Sequence, residues 1–383
     1  MRLVDGPEVL VRDLEAWGVL TDGRVRAAFL AVPRHLFVPR RGWVSPDRTG
    51  AAGYVADARV DPDAWCAAAY SNASIWIQAD DGATDPATGL GSPTSSISAP
   101  GVVAGFLQLL DVRPGHRVLE VGTASGWTAA LLEHLAGGSG AVRSVEVDEG
   151  VAVAAADALA AFGSGVTALH GDGGLGVPEA APFDRVHVTC AITDVPAALI
   201  GQTRPGGVIV APWQPGGPDG HRLRLTVTGD GTATGTLHGR ANYMPMRSQR
   251  VGRRWEAHHA DRAETSTTAL DPGEVAEAGL GAAVAVAALV PGVAWHAVSD
   301  GAGAVSLLLH DRAGSAGSWA ACDREPGAAR FPVTQYGERR LWDEVEAAYL
   351  RWCSWGRPDQ SRFGLTLDGS GQKIWLDDPG RVL

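Results

Sequence analysis

Cysteine is scarce. The 383 residues hold four, Cys66, Cys190, Cys322 and Cys353, far apart and with no Cys-x-x-Cys pair. A disulfide framework and a zinc ribbon are thereby excluded as organising devices, and reduced thiols are the default. Cys190 lies in an apolar strand-like run and reads as a buried thiol. Long apolar runs are missing as well: the most lipid-like stretch, Leu280 to Val290, is Ala- and Gly-rich, about half a bilayer span in length, and closed by Pro291. Residues 1–18 carry acids early and contain no apolar signal core, so a cytoplasmic protein with no membrane partner is expected. Positive charge is in deficit, with a formal net charge of −11 and no basic stripe, which argues against nucleic acid as the main partner. Glycine is abundant at 50 residues, yet no Gly-X-Y period accompanies it, so no fibrous fold follows. Histidines lack any spacing that suits a metal or base catalysis: His35, His170 and the pair His258-His259 read as surface or core residues, and no metal is expected.

What remains is a globular composition, 45% hydrophobic and 20% charged. Residues 7 to 30 have helical spacing (Val9, Leu10, Leu14, Trp17, Val25, Phe29, Leu30), ended by Pro33. Residues 40 to 96 are rich in Gly, Asp, Ser and Pro and predict a long irregular loop or lid. From residue 116 short apolar runs (117–121, 142–147, 166–170, 183–189, 208–211) alternate with helical stretches (127–135, 151–162), the pattern of a parallel sheet covered on both faces. This rhythm stops near residue 250, and residues 251–383 hold seven of the thirteen tryptophans, which marks a folded appendage. The division expected is a helical and loop region over 1–100, an α/β domain over 101–250 and a C-terminal α+β extension over 251–383.

The strongest signal is Val118-Leu-Glu-Val-Gly-Thr-Ala-Ser-Gly126, a strand ending in an acid followed by small residues that turn into a helix. Gly122 and Gly126 permit close approach of a ligand to the backbone, and the helix N-terminus offers free N–H groups. Two more acids follow strands at matched spacing: Glu146 is 26 positions after Glu120 (146 − 120), and Asp172 is 26 after Glu146 (172 − 146). Acids at successive strand ends converge on the crevice where open α/β sheets bind ligands. Glu120 can shape the methionine-amine end of a cofactor, Glu146 can accept both ribose hydroxyls, and Asp172 can accept from the adenine amino group. Each taken singly also fits a solvated acid at a strand end.

These motifs, with Gly171-Asp-Gly-Gly174 and Arg204-Pro-Gly-Gly207, resemble the cofactor motifs of protein L-isoaspartyl O-methyltransferases. Val32-Pro-Arg-His-Leu-Phe-Val-Pro39 upstream and Tyr243-Met-Pro-Met-Arg247 downstream extend the resemblance over residues 10 to 250. It implies a Rossmann-like methyltransferase sheet and an S-adenosyl-L-methionine site made by Glu120, Gly122, Thr123, Ala124, Ser125, Gly126, Glu146, Val147, Asp172 and Gly173. One departure stands out: the family usually has glycine where this chain has Ala124. Thr94-Ser-Ser-Ile-Ser-Ala-Pro100 resembles the family's substrate segment, which implies that Ser98 lies beside the carboxylate being methylated, with Thr94, Ser95 and Ser96 in the same substrate loop. Without the resemblance, a Ser/Thr cluster before Pro reads first as a helix-capping sequence. A carboxylate is already anionic at neutral pH, so methyl transfer needs alignment and no general base.

Repair enzymes of the family are expected to end near the equivalent of residue 250. The tail here, with a helix over 336–349 and a closing hairpin over 362–379, resembles isoaspartyl-methyltransferase homologues from gene clusters for ribosomally made peptides, graspetides first and lanthipeptides next. That resemblance implies methylation of one Asp in a crosslinked precursor peptide, then closure to a succinimide (aspartimide) or isoaspartate. Repair of isoaspartyl damage in proteins, and a non-catalytic binding module, are the alternatives. A monomer is favoured.

Overall fold

The computed structural model describes residues 6–47, 50–250, 259–312 and 317–383; His258 lies outside them. Two compact units are present, one made of residues up to Cys190 with 196–211 and 226–231, the other of 191–195, 212–225 and 232–383. The helical N-terminal region and the α/β residues therefore belong to a single unit. The second unit begins well before the expected boundary at 250.

In the first unit, the periodicity over 7–30 resolves into α1 (Pro7–Ala16) and α2 (Gly23–Ala31). Gly18, at φ 68°, follows the end of α1, and Asp22 starts α2 by accepting from the Arg24 and Val25 N–H groups. The expected loop over 40–96 is instead an antiparallel sheet of β1 (Arg41–Pro46), β2 (Tyr54–Asp57), β3 (Ala73–Ala79) and β4 (Pro93–Ile97), in the order β2-β1-β3-β4, with α3 (Pro62–Ala69) inserted. Val44, Ile75 and Ile97 are aligned across three strands and at most 2% exposed, so one face of this sheet is core. The strands escape notice in the sequence because each is short and the turn residues between them dominate the composition.

After α4 (Pro100–Leu110) come β5 (Arg117–Val121), α5 (Trp127–Ala136), β6 (Ala141–Glu146), α6 (Glu149–Phe162), β7 (Thr167–His170), β8 (Phe183–Val188), α7 (Ala197–Gly201) and β9 (Thr203–Trp213). The five strands pair in parallel in the order β9-β8-β5-β6-β7. The chain runs outward from β5 through β6 to β7, then returns to β8 on the other side. A parallel sheet that reverses direction in this way opens a crevice at the carboxyl ends of its central strands, and the glycine turn after β5 occupies that place.

The second unit contains all but the last two residues of β10 (His221–Val227), then β11 (Ala233–Arg240), β12 (Glu264–Thr268), α8 (Pro272–Ala276), α9 (Leu280–Leu289), β13 (Val293–Ser299), β14 (Val305–Asp311), β15 (Trp319–Arg324), β16 (Phe331–Tyr336), α10 (Leu341–Ser354), β17 (Phe363–Asp368) and β18 (Gly371–Leu376). The last two form the expected hairpin, with β17 pairing antiparallel to β11. A separate five-stranded antiparallel sheet, β12-β16-β15-β14-β13, was not anticipated. Trp295, Trp319, Trp342, Trp352 and Trp375 are all 9% exposed or less, so these five tryptophans build a core. Among the described residues no helix is long and apolar enough to cross a membrane.

Candidate active site

The glycine turn is held from two sides. Gly122 adopts φ 98°, and a Cβ there would sit 2.3 Å from Thr189 Oγ1, so only glycine fits. Thr189, the first residue beyond β8, donates its N–H to the Val121 carbonyl at 2.9 Å and its hydroxyl to the Gly122 carbonyl at 2.6 Å. The turn closes where the Gly126 N–H meets the Thr123 carbonyl at 2.9 Å, and α5 starts with no side chain capping it. Its first N–H groups are left to a ligand. Ala124, which replaces the family's usual glycine, has φ 48° and so carries a methyl in the left-handed region.

The three acids do different things. Glu120 is fully buried and does not line the cleft: Oε2 accepts from Ser144 Oγ at 2.5 Å, and Oε1 has no partner among the described residues. Burial, opposed by the Ser144 bond and reinforced by Glu146, pushes its carboxyl up to about 8. Glu120 has no exposed surface from which to face the cleft. Its role runs through Ser144, whose hydroxyl also meets Thr123 Oγ1 at 2.6 Å and so fixes the glycine turn. Glu146 is 7% exposed and grips the turn directly, Oε2 accepting from the Ala124 N–H at 2.9 Å and Oε1 from the Asp148 N–H at 3.2 Å. A carboxylate has about four acceptor sites, so two backbone bonds leave capacity for ribose hydroxyls. Val147 beside it is 40% exposed. Asp172 is exposed and accepts from the Gly174 N–H at 2.8 Å, the cap of a short 3₁₀ turn. Gly173 is buried, and a Cβ there would meet Val121 Cγ1 at 2.4 Å, so this glycine lets the 3₁₀ turn pack against the end of β5.

The substrate segment is β4 and the residues after it. Ser96, Ile97 and Ser98 form one wall of a cleft whose other walls are Gly122, Thr123, Ala124, Ser125, Thr128 and Thr189. Thr94 and Ser95 do not reach it: Ser95 is buried, and Thr94 Oγ1 donates to Gln78 Oε1 at 2.9 Å. Capping does not explain Ser98. The N-cap of α4 is Ala99, and the α4 terminus is bonded instead by Asn72, whose Oδ1 accepts from the Gly101 N–H at 2.8 Å. Arg34, from the Val-Pro-Arg-His motif, shapes this wall from behind. Its guanidinium is fully buried, donates to the Ala69 and Ala73 carbonyls at 2.8 Å and the Ser98 carbonyl at 3.0 Å, and lies 5.2 Å from the Trp127 ring. Burial lowers it to about 9.

Thr128, Thr189 and Asn72 are residues that motif reading passes over, and Arg34 stands in a motif that carried no role for it. Thr189 had a usable signal in its place directly after a strand of the parallel sheet, and Arg34 in its motif. Cys190 is half-buried beyond β8, not within it; its thiol is pushed up to about 12 by burial and then by the charges of Glu146 and Asp172. His35 bonds Tyr70 through Nδ1 at 2.5 Å, a packing role, and His170 and His259 are exposed.

The family model for Protein-L-isoaspartate(D-aspartate) O-methyltransferase (PCMT) matches residues 54–251. The protein-L-isoaspartate O-methyltransferase of Pyrobaculum arsenaticum is 34% identical over 209 residues, 54% of this chain and 84% of that protein. Its counterpart in Methanopyrus kandleri is 35% identical over 244 residues, 62% of this chain and 90% of that protein. A solved protein-L-isoaspartate O-methyltransferase superposes with a TM-score of 0.55 at 19% identity, covering 97% of this chain and 100% of its own. That likeness extends over residues beyond 251 and is one of fold. With a Rossmann-like sheet, a glycine turn at its switch point and a family match across more than half of its length, the chain belongs to the protein-L-isoaspartate O-methyltransferase family and is an S-adenosylmethionine-dependent carboxyl O-methyltransferase.

Proposed function

We propose that the protein methylates the side-chain carboxylate of an Asp in a ribosomally made, crosslinked precursor peptide. The observation that carries this reading is the folded C-terminal unit with its β17–β18 hairpin, most of which lies beyond the family match ending at residue 251. That unit also has its own cleft, lined by Val275, Ala282, Val286, Trp295 and Val345 among others, which offers a peptide an apolar surface separate from the methyl-transfer cleft.

The residues at the β5 turn suit S-adenosylmethionine: a glycine-permitted backbone, an uncapped helix start and an acid with spare acceptor capacity. Residues 122–126 and Glu146 would hold it, with Val147, Asp172 and Gly173 as the residues for its adenosine. Bound there, it supplies an electrophilic methyl group on a sulfonium. The chain's own contribution is alignment and exclusion of water. Ser98, with Ser96, donates to the substrate carboxylate and fixes which oxygen faces the methyl group, while Thr94 and Ser95 act through the strand. The carboxylate arrives ionised, so no side chain removes a proton. The methyl ester formed is a better electrophile than the acid. The backbone nitrogen of the next peptide residue then attacks the ester carbonyl, methanol leaves, and a succinimide remains, which water opens to aspartate or isoaspartate.

Repair of isoaspartyl proteins is the second reading. It is favoured by the relatives in Pyrobaculum arsenaticum and Methanopyrus kandleri, both named protein-L-isoaspartate O-methyltransferases. The two readings separate by substrate. Full-length protein is incubated with a macrocyclic, side-chain-crosslinked Asp peptide, its linear form, and a linear isoaspartyl peptide, and methyl gain and methanol loss are followed by mass spectrometry. Preference for the macrocycle is expected, because a preorganised loop lowers the ordering cost of binding. Equal or faster methylation of the isoaspartyl peptide returns the protein to repair.

A further inference from the structure

The cofactor acid and the substrate strand are joined by a chain of hydrogen bonds through one side-chain amide. Glu146 Oε1 accepts from the Asp148 N–H at 3.2 Å, and Asp148 Oδ2 accepts from Gln78 Nε2 at 2.9 Å. The other end of that amide, Gln78 Oε1, accepts from Thr94 Oγ1 at 2.9 Å. Thr94 in turn accepts from the Asp81 N–H at 3.1 Å. Thr94 lies on β4 just ahead of Ser96 and Ser98, which line the cleft. Asp148 is also pinned to α6, its Oδ1 accepting from the Val151 N–H at 3.2 Å. Both ends of the Gln78 amide are therefore engaged, one by the segment carrying Glu146 and the other by the strand carrying the serines.

The backbone around Gln78 fits this use. The β3–β4 register is irregular on both sides of it, between Trp76 and Gln78 and between Gln78 and Ala79. Bulges of this kind re-aim side chains beside active sites. Gln78 is 9% exposed, so its bonds are largely sheltered from water. Donor and acceptor in one planar group are what the two partners require. Glutamate would set a second negative charge against Asp148, and leucine would delete both bonds.

We propose that Gln78 is a positioning residue that couples the two halves of the site, so that filling the Glu146 segment orders β4 and presents Ser96 and Ser98 to the carboxylate. This rests on the reading of Glu146 as the ribose acid and Ser98 as the carboxylate's partner. Coupling is reciprocal: if cofactor tightens peptide binding, peptide tightens cofactor binding by the same factor.

The test uses full-length protein, S-adenosylhomocysteine, and the macrocyclic, side-chain-crosslinked Asp peptide, or the isoaspartyl peptide where that one is methylated faster. Calorimetry measures S-adenosylhomocysteine affinity with and without saturating peptide. The parent should show a ratio of about 5 or more. Gln78→Leu should bring that ratio close to one and raise the peptide KM, while affinity for S-adenosylhomocysteine alone stays within about twofold. Thr94→Val cuts the same chain at its other end. It should reproduce the loss, and the double variant should lose no more than either single change, because members of one chain are not additive. A structural role alone would lower the melting temperature and leave the ratio intact. A parent ratio near one, or a Gln78→Leu protein that keeps the parent ratio, overturns the proposal. Glu146→Ala separates the two failures: unchanged affinity for S-adenosylhomocysteine means the site reading is wrong, whereas weakened affinity with an intact ratio in Gln78→Leu means only the coupling is wrong.

Discussion

Glu120→Gln should stabilise the protein at neutral pH and flatten part of its pH dependence. In the folded chain, burial, opposed by the Ser144 hydroxyl and reinforced by Glu146, raises the Glu120 carboxyl from an ordinary 4.5 to about 8. Below about pH 4.5 the group is protonated in both folded and unfolded chains and has no effect on the balance. Between there and about pH 8 the unfolded chain releases the proton while the folded chain keeps it, so stability falls as pH rises. Each pH unit across that window costs about 1.4 kcal/mol, which amounts to roughly 3 kcal/mol by pH 7. Glutamine has no proton to lose, and its amide oxygen still accepts from Ser144, which preserves the bond of Ser144 to Thr123. Urea midpoints of parent and variant are measured from about pH 5 to about pH 8.5, and the difference between the two curves cancels every other titrating group. That difference should favour the variant increasingly up to about pH 8 and then level. Parallel curves would refute the reasoning, since they would mean that Glu120 ionises normally in the folded protein.

Other outcomes follow from the same geometry. Glu146→Ala should weaken S-adenosylhomocysteine binding by about 1.5–3 kcal/mol in calorimetry, and should also lower stability, because the Ala124 and Asp148 N–H groups lose their acceptor. Ser98→Ala should cut turnover with melting temperature and cofactor affinity retained, whereas Asn72→Ala should lose about 1 kcal/mol of stability because Asn72 supplies the bond at the start of α4. An active Ser98→Ala enzyme would remove Ser98 from the reaction. Ala124→Gly should be neutral or stabilising by up to about 1 kcal/mol in denaturant melts, since it relieves a left-handed non-glycine residue; a clear loss of stability would show that the methyl packs usefully.

The parallel sheet was legible because its strands are buried on both faces and read as apolar runs separated by helical periods. The glycine turn was legible because its requirements are local: a positive φ and a close backbone approach can be met by few residues. The N-terminal sheet was not legible. Its strands bury one face only, through single residues such as Val44, Ile75 and Ile97, and that alternation is too short to rise above the turn composition. The five-stranded sheet of the C-terminal unit was hidden in the same way.

For the site, sequence alone determined which strand ends carry acids, the family resemblance pointed to Ser98, and the fold set Ser98 across a cleft from the glycine turn. The division of labour among those acids was decided by tertiary structure. Glu120 and Glu146 both close strands of one sheet and look alike in sequence, yet enclosure makes Glu120 a neutral brace for Ser144, while Glu146 meets two backbone N–H groups. Thr94 and Ser98 sit four positions apart, but one bonds Gln78 and the other lines the cleft. The physical reason is that burial and hydrogen-bond partners are supplied by residues distant along the chain, such as Arg34, Asn72 and Gln78, whose importance rests on what they touch and not on their neighbours in sequence.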